Sequence, residues 1–207
     1  MPRLERRKSP VQARSAVTIE ALHAATIQVL VRDGLQRCTT TRIAERAGAS
    51  VGTLYQYYPN RDALIAAVLE RHLSAIAAAV GRACEDSEDR PVSDMASAFT
   101  RAFVGAKLRD VHVARALYAV AQERGGAEAA ARMRDRIVSA VAKMLASATD
   151  VRFDAPALTA TIAVGALIGQ VQTLFCGPAP SGFAERFEAE LVALIAGYFC
   201  ARRQDFA

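Results

Sequence analysis

Residues 39–62 read TTTRIAERAGASVGTLYQYYPNRD, and the spacing inside this stretch constrains the fold more than any other feature of the chain. Two short amphipathic segments are separated only by AGAS. In the first, Thr40 is placed to cap a helix, Ile43, Ala44 and Ala47 share its inner face, and Gly48 ends it. In the second, Ser50 can cap a helix containing Val51, Leu54, Tyr55 and Tyr58, which Pro59 stops. Helix, short glycine-containing turn, helix is the helix-turn-helix pattern. Glycine at position 48 permits the positive φ that such a turn needs. An ordinary helical hairpin has the same spacing, so the residues left facing outward carry the distinction.

Those residues suit DNA. Gly52 costs about 1 kcal/mol relative to alanine inside a helix, a cost that makes sense where backbone must approach another surface closely. Thr53 and Gln56 can hydrogen-bond to base edges. Tyr55 and Tyr57 offer hydroxyls to phosphates, and Thr40 combines a hydroxyl with a helix N-terminus, which suits a phosphate oxygen. Arg42 and Arg46 add positive charge nearby. Asn60 can cap the next helix, which Arg61 opens, where the helix dipole disfavours a cation unless an anion lies alongside.

Charge follows the same division. The net charge is +5, and residues 1–62 hold ten Lys or Arg against five Asp or Glu, whereas residues 63–207 hold sixteen of each. A basic excess confined to one part of a chain is expected of a nucleic-acid-binding module.

The run TTTRIAERAGASVGTLYQYYPNRDALIAAVLE, preceded by AATIQVLVRDG, resembles the N-terminal domain of the TetR family of transcriptional regulators. The resemblance covers about residues 16–71; the remainder matches in length and helix count only. It implies a homodimeric, ligand-responsive repressor whose third helix, residues 51–58, enters the major groove of operator DNA. Thr40, Tyr55, Tyr57 and Arg61 fall on phosphate-contacting positions of the motif. Thr41, Arg42, Val51, Gly52, Thr53 and Gln56 fall on or near base-reading positions, and Leu54 and Tyr58 on core positions. Tyr58 stands where the family often has phenylalanine, and Arg61 where lysine is common.

Beyond the motif the chain reads as all-α, with about nine helices. Proline is scarce, tryptophan is absent, and much of the 52% hydrophobic content is alanine, a strong helix former. Residues 1–14, with five Lys or Arg and one Glu, read as a flexible basic arm. Residues 15–62 form the helix-turn-helix domain, with its fourth helix continuing to about residue 82, and 63–207 form a ligand-binding and dimerisation domain. A first helix is expected from Arg14 to Asp33, closed by a left-handed cap at Gly34. Residues 85–92 are expected to be a charged loop, and Ser93 or Asp94 to start the helix after it.

Family resemblance also implies an effector pocket and a dimer interface. In the helix opening near residue 155, Gly165 and Gly169 continue a small-residue stripe from Ala157 and Thr161. The last helix carries Phe187, Leu191, Leu194, Ile195 and Tyr198 along one face. These two helices suit a four-helix bundle between subunits, although both stripes suit an intrachain core equally well in pattern. Phe99, Phe103, Tyr118, Met133, Ile137, Met144 and Phe175 can line a cavity or serve as core. His112, Arg115 and Gln170 are polar groups on apolar stretches that can orient a ligand. An apolar or aromatic effector follows.

No catalytic fingerprint is present, and the three histidines and four cysteines are widely separated, so neither an enzyme nor a metal or other cofactor is expected. The N-terminus lacks the apolar run of a signal peptide, and the most apolar segment, residues 160–169, is too short to cross a bilayer, so a cytoplasmic protein without a membrane partner is expected. An activator, or a regulator sensing oxidation through Cys38 or Cys84, remains open within the same fold. A helical small-molecule carrier without DNA binding is the alternative from another class.

Overall fold

The computed structural model describes residues 10–123, 126–176 and 183–202. Among them are nine α-helices: α1 (Pro10–Asp33), α2 (Thr40–Ala47), α3 (Val51–Tyr57), α4 (Arg61–Glu85), α5 (Val92–Leu108), α6 (Val111–Glu123), α7 (Ala127–Ala146), α8 (Pro156–Cys176) and α9 (Phe183–Arg202). The described residues contain no strand, so the fold is all-α as expected.

Local chemistry sets most of the boundaries. Ser50 Oγ accepts from Thr53 N at 2.9 Å and Asn60 Oδ1 from Ala63 N at 2.8 Å, so α3 and α4 begin where the capping residues predict. The cap of α2 is one residue earlier than expected: Thr39, not Thr40, accepts from Arg42 N, at 3.4 Å. Gly48 takes φ 66, ψ 30, the left-handed conformation that lets the chain turn directly from α2 into α3. Gly34 departs from its expected role. Its φ of 77 is positive, but ψ of 172 places it in a region open essentially to glycine alone, from which the chain enters a 3-10 turn at Leu35–Arg37. The expected arm is shortened, because α1 begins at Pro10; residues 1–9 lie outside the described residues. Tyr58 is the extended residue closing α3 rather than part of it. Pro91, rather than Ser93 or Asp94, precedes α5.

Helix α4 organises the molecule. Leu64, Ile65, Val68, Leu69, Leu73, Ile76, Ala77, Val80 and Cys84 are buried along its whole length. It packs on α1, α5, α6 and α7. No break separates the expected domains at residue 62: the boundary falls inside this continuous helix. Helix α8 is longer than the apolar run expected to mark it. Both α4 and Pro156–Phe175 are long and apolar enough to cross a bilayer, but each lays one face on the helical core.

Phe99, Phe103, Ile137 and Met144 are completely buried in that core and line none of the described cavities. They hold α5 and α7 in the bundle; the four expected at an effector pocket thus sit where packing rather than ligand contact engages them. Phe99→Ala should cost about 3–5 kcal/mol in urea unfolding at fixed protein concentration. A cost under 1 kcal/mol would mean that the ring faces space rather than neighbours.

Candidate nucleic-acid interface and effector cavity

The reading head is built from α1 to α3 and the start of α4. Ile43, Ala44 and Leu54 are buried and lock α2 to α3 and α1. This leaves Thr41, Arg42, Gly52, Tyr55 and Gln56 exposed together, with Tyr55 half uncovered despite its aromatic ring. Thr40, Val51, Thr53, Tyr57 and Arg61 are half-buried at the edges of the same surface. All ten residues expected to touch DNA therefore lie on the two helices of the motif and the first turn of α4.

Contacts within the chain orient the cations. Arg42 Nη1 reaches Asp33 Oδ2 at 3.3 Å, and Arg46 Nε donates to Gln28 Oε1 at 2.5 Å. Asp33 also accepts from Arg32, a bond that holds its carboxyl below the usual carboxylate range. Arg61 pairs with Asp62 and donates to the Cys38 carbonyl at 3.5 Å. That bond brings the guanidinium beside the backbone leading into α2, whose N-terminal N–H groups are an anion site in waiting. Thr53 is less free than its position suggests, since its hydroxyl lies 2.8 Å from Ser50 Oγ. Gly52 has no intrachain reason to be glycine: a Cβ there would meet only Ser50 Oγ, at 3.6 Å.

Tyr58 does more than fill space. Its hydroxyl lies 2.6 Å from His23 Nε2, while Arg71 Nη1 approaches His23 Nδ1 at 3.5 Å. Arginine cannot accept, so Nδ1 is the acceptor and the proton sits on Nε2, donating to the tyrosine. Burial, and then Arg71, push the imidazole pKa down and keep it neutral. The spacing pattern gave no sign of this link between α1, the end of α3 and α4.

The second site is a partly open cavity of about 190 Å³ between α4, α5, α6, α7 and α8. Of the ten expected effector residues it takes in Tyr118, Met133 and Phe175, with the two rings 5.9 Å apart. His112, Arg115 and Gln170 point to solvent on the outer faces of α6 and α8, so they do not meet this cavity. Its polar groups are instead His72, Lys107, Gln122, Arg134 and Gln172. Burial lowers the pKa of His72 to about 4 and that of Lys107 to about 8. A histidine and a lysine on separate helices, 35 positions apart in sequence, leave no periodic signal that would have found them.

The expected interface is divided by the fold. Phe187, Leu191 and Ile195 are buried within the chain's own core, where α9 packs on α5, so they are closed to a second subunit. Tyr198 is half-buried. Leu194 is 48% exposed, beside exposed Ala193 and Gly197. On α8, Leu158 and Ile162 are exposed beside Thr161, Gly165 and Gly169.

A helix-turn-helix head continues through α4 into a helical domain with a cavity among five of its helices, an architecture in which DNA-binding regulators are built. Two family models agree with that architecture: "Bacterial regulatory proteins, tetR family" matches residues 22–68, and "Tetracyclin repressor-like, C-terminal domain" matches residues 91–199. The chain belongs to the TetR family. Among curated relatives, the nucleoid occlusion factor SlmA of Actinobacillus pleuropneumoniae is 46% identical over 39 residues, 19% of each chain. The DNA-binding transcriptional repressor TetR of Mycobacteroides abscessus is 40% identical over 60 residues, 29% of this chain and 32% of that one. The match thus spans about a fifth to a third of these relatives' length. A transcriptional regulator from Rhodococcus sp. Rha1 superposes with a TM-score of 0.71 at 17% identity, covering 91% of this chain and 99% of the other. SmeT, the repressor of a Stenotrophomonas maltophilia multidrug efflux pump, superposes at 0.64 with 18% identity, covering 92% and 95%. At these identities the structural likeness establishes the fold.

Gly52→Ala should raise the stability of the free protein by about 0.5–1 kcal/mol, as removal of a helical glycine does, and lower its affinity for specific DNA at least tenfold. Paired urea unfolding and DNA titration would check both. Unchanged DNA affinity would remove the close-approach account of this glycine.

Proposed function

We propose that the protein is a homodimeric transcriptional repressor that a small molecule releases from a palindromic operator. The observation that carries this reading is the continuity of α4. One end bears Arg61, at the reading head, and eleven residues on, about 17 Å along a helix, His72 and Leu73 form part of the cavity wall. A ligand that shifts α4 in the cavity moves the head with it. In a dimer this changes the separation of the two reading helices, which must match successive major grooves. TetR of Mycobacteroides abscessus and SmeT are both named as repressors, which favours repression over activation.

The uncovered faces of α8 and α9 form the dimer contact in this reading. Their glycines and alanines permit close helix approach, and Leu158, Ile162 and Leu194 supply apolar area. Family and charge distribution favour a cytoplasmic protein acting on DNA over a helical carrier. The redox alternative is weakened at two thiols. Cys38 and Cys84 are buried, and burial pushes their pKa to about 11 and about 12, which suppresses the reactive thiolate.

Selection from random duplex DNA should enrich a palindrome with half-sites about one helical turn apart or slightly more. Retention without an enriched motif would reduce the protein to a nonspecific binder. On the selected site, Tyr57→Phe should weaken binding to all sequences alike, whereas Gln56→Ala should relax base preference at one position by about 1–3 kcal/mol. Parallel losses on specific and nonspecific DNA would contradict that division. Gly165→Leu should shift sedimentation from dimer to monomer with the helical signal intact, because the position is exposed and a Cβ there meets no atom within 4 Å. A dimer that persists would move the interface elsewhere.

A further inference from the structure

The cavity has walls for an apolar ring but the charge of an anion site. Leu69, Leu117, Met133, Ile168, Val171 and Phe175 supply the apolar surface. No described residue lining it is acidic, and its deepest polar groups are Lys107, from the last turn of α5, and His72, from α4. Lys107 makes no ion pair with any described residue. Asp110 follows three residues later and shares the neighbouring cleft with Lys107. Its carboxylate is occupied instead by the first N–H groups of α6, from His112 and Val113 at 3.0 and 3.1 Å. Arg134, at the exposed edge of the cavity, lies 3.5 Å from Asp135.

An ammonium removed from water with no counter-charge is costly, and proteins usually pair such a group or dispense with it. Apolar and cationic groups facing one space match a ligand that is itself part ring and part anion. The size of the space narrows the class. A dry cavity of about 150 Å³ accepts benzene, so about 190 Å³ accommodates one ring with a small acidic group.

We propose that the effector is a ring-sized organic carboxylate, its carboxylate oxygens seated on Lys107 Nζ and within reach of a hydrogen bond from His72, and its ring between Leu117, Met133 and Phe175. This rests on the reading of the cavity as the effector site and replaces the purely apolar effector that the sequence suggests. Lys107 is partly buried and desolvated, yet a pKa near 8 leaves it mainly protonated at neutral pH. His72 stays neutral there, so it offers a ring N–H without adding a second full charge. One cation and one neutral donor match a single carboxylate.

The test is calorimetric titration of the full-length protein at pH 7 with benzoate and phenylacetate, each against its amide. Both acids should bind at least tenfold more tightly than the amides. Lys107→Met should bring acid affinity down to that of the amide and leave amide affinity unchanged. The ligand-free Lys107→Met protein should also melt at a higher temperature than the wild type, since an unpaired cation has been removed. Amides that bind as well as acids, acid binding that survives the substitution, or no binding of either acid at millimolar concentration would each overturn the proposal. A lower melting temperature in Lys107→Met would overturn it too, by assigning the lysine to the carbonyls that end α5. The repressor reading fails separately, through wild-type protein that selects no operator. Amides that release operator DNA as well as acids would sink only the carboxylate.

Discussion

Helix α4 buries nine of its side chains against α1, α5, α6 and α7, and the remaining structure depends on that burial together with the direct packing of α1 on α6. Near its start, Leu64, Ile65 and Val68 join the same continuous core that takes in Leu22, Val29, Ile43 and Leu54 of the reading head. Further along, Leu73, Ile76 and Val80 belong to the core of the larger domain. A head made of α1 and two short helices buries little apolar area and is marginal by itself. Sharing one rigid helix with a larger bundle stabilises the head and also ties its orientation to the bundle's packing.

Polar contacts strengthen that tie. Arg71 and His72 are adjacent on α4 and share a cleft with His23, but only His72 also borders the effector cavity. Arg71 reaches His23 on α1, which holds the Tyr58 hydroxyl at the end of α3, whereas His72 contributes to the cavity wall. Two neighbouring backbone positions therefore serve the reading head and the cavity. The tyrosine at position 58, a mild departure from the family's usual phenylalanine, makes this contact possible because its ring carries a hydroxyl.

Alanine and glycine shape the outer surface. In α8 and α9 the large apolar residues split by face: Phe187, Leu191, Ile195 and Phe199 fill the chain's own core, while small residues remain outside with Leu158, Ile162 and Leu194. The apolar stripe of the last helix was legible in sequence, but the partner it packs against was not. Periodicity says that a face will be buried, and a core within the chain satisfies it as well as a second chain does. For the same reason Phe99, Phe103, Ile137 and Met144 looked like pocket residues and proved to be packing.

The helix count, the turn at Gly48, the caps at Ser50 and Asn60, the exposed reading surface and the basic bias of the first third were determined by the sequence alone. Each rests on short-range chemistry: a side-chain oxygen capping N–H groups three residues on, a glycine tolerating positive φ, a 3.6-residue repeat. Tertiary structure alone decided the cavity, whose lining comes from five helices, and the desolvation of Lys107 and His72 within it. It also decided which stripe of α9 faces inward and that Tyr58 meets His23, 35 residues away. Burial and charge pairing depend on which helices become neighbours, and no local pattern encodes that.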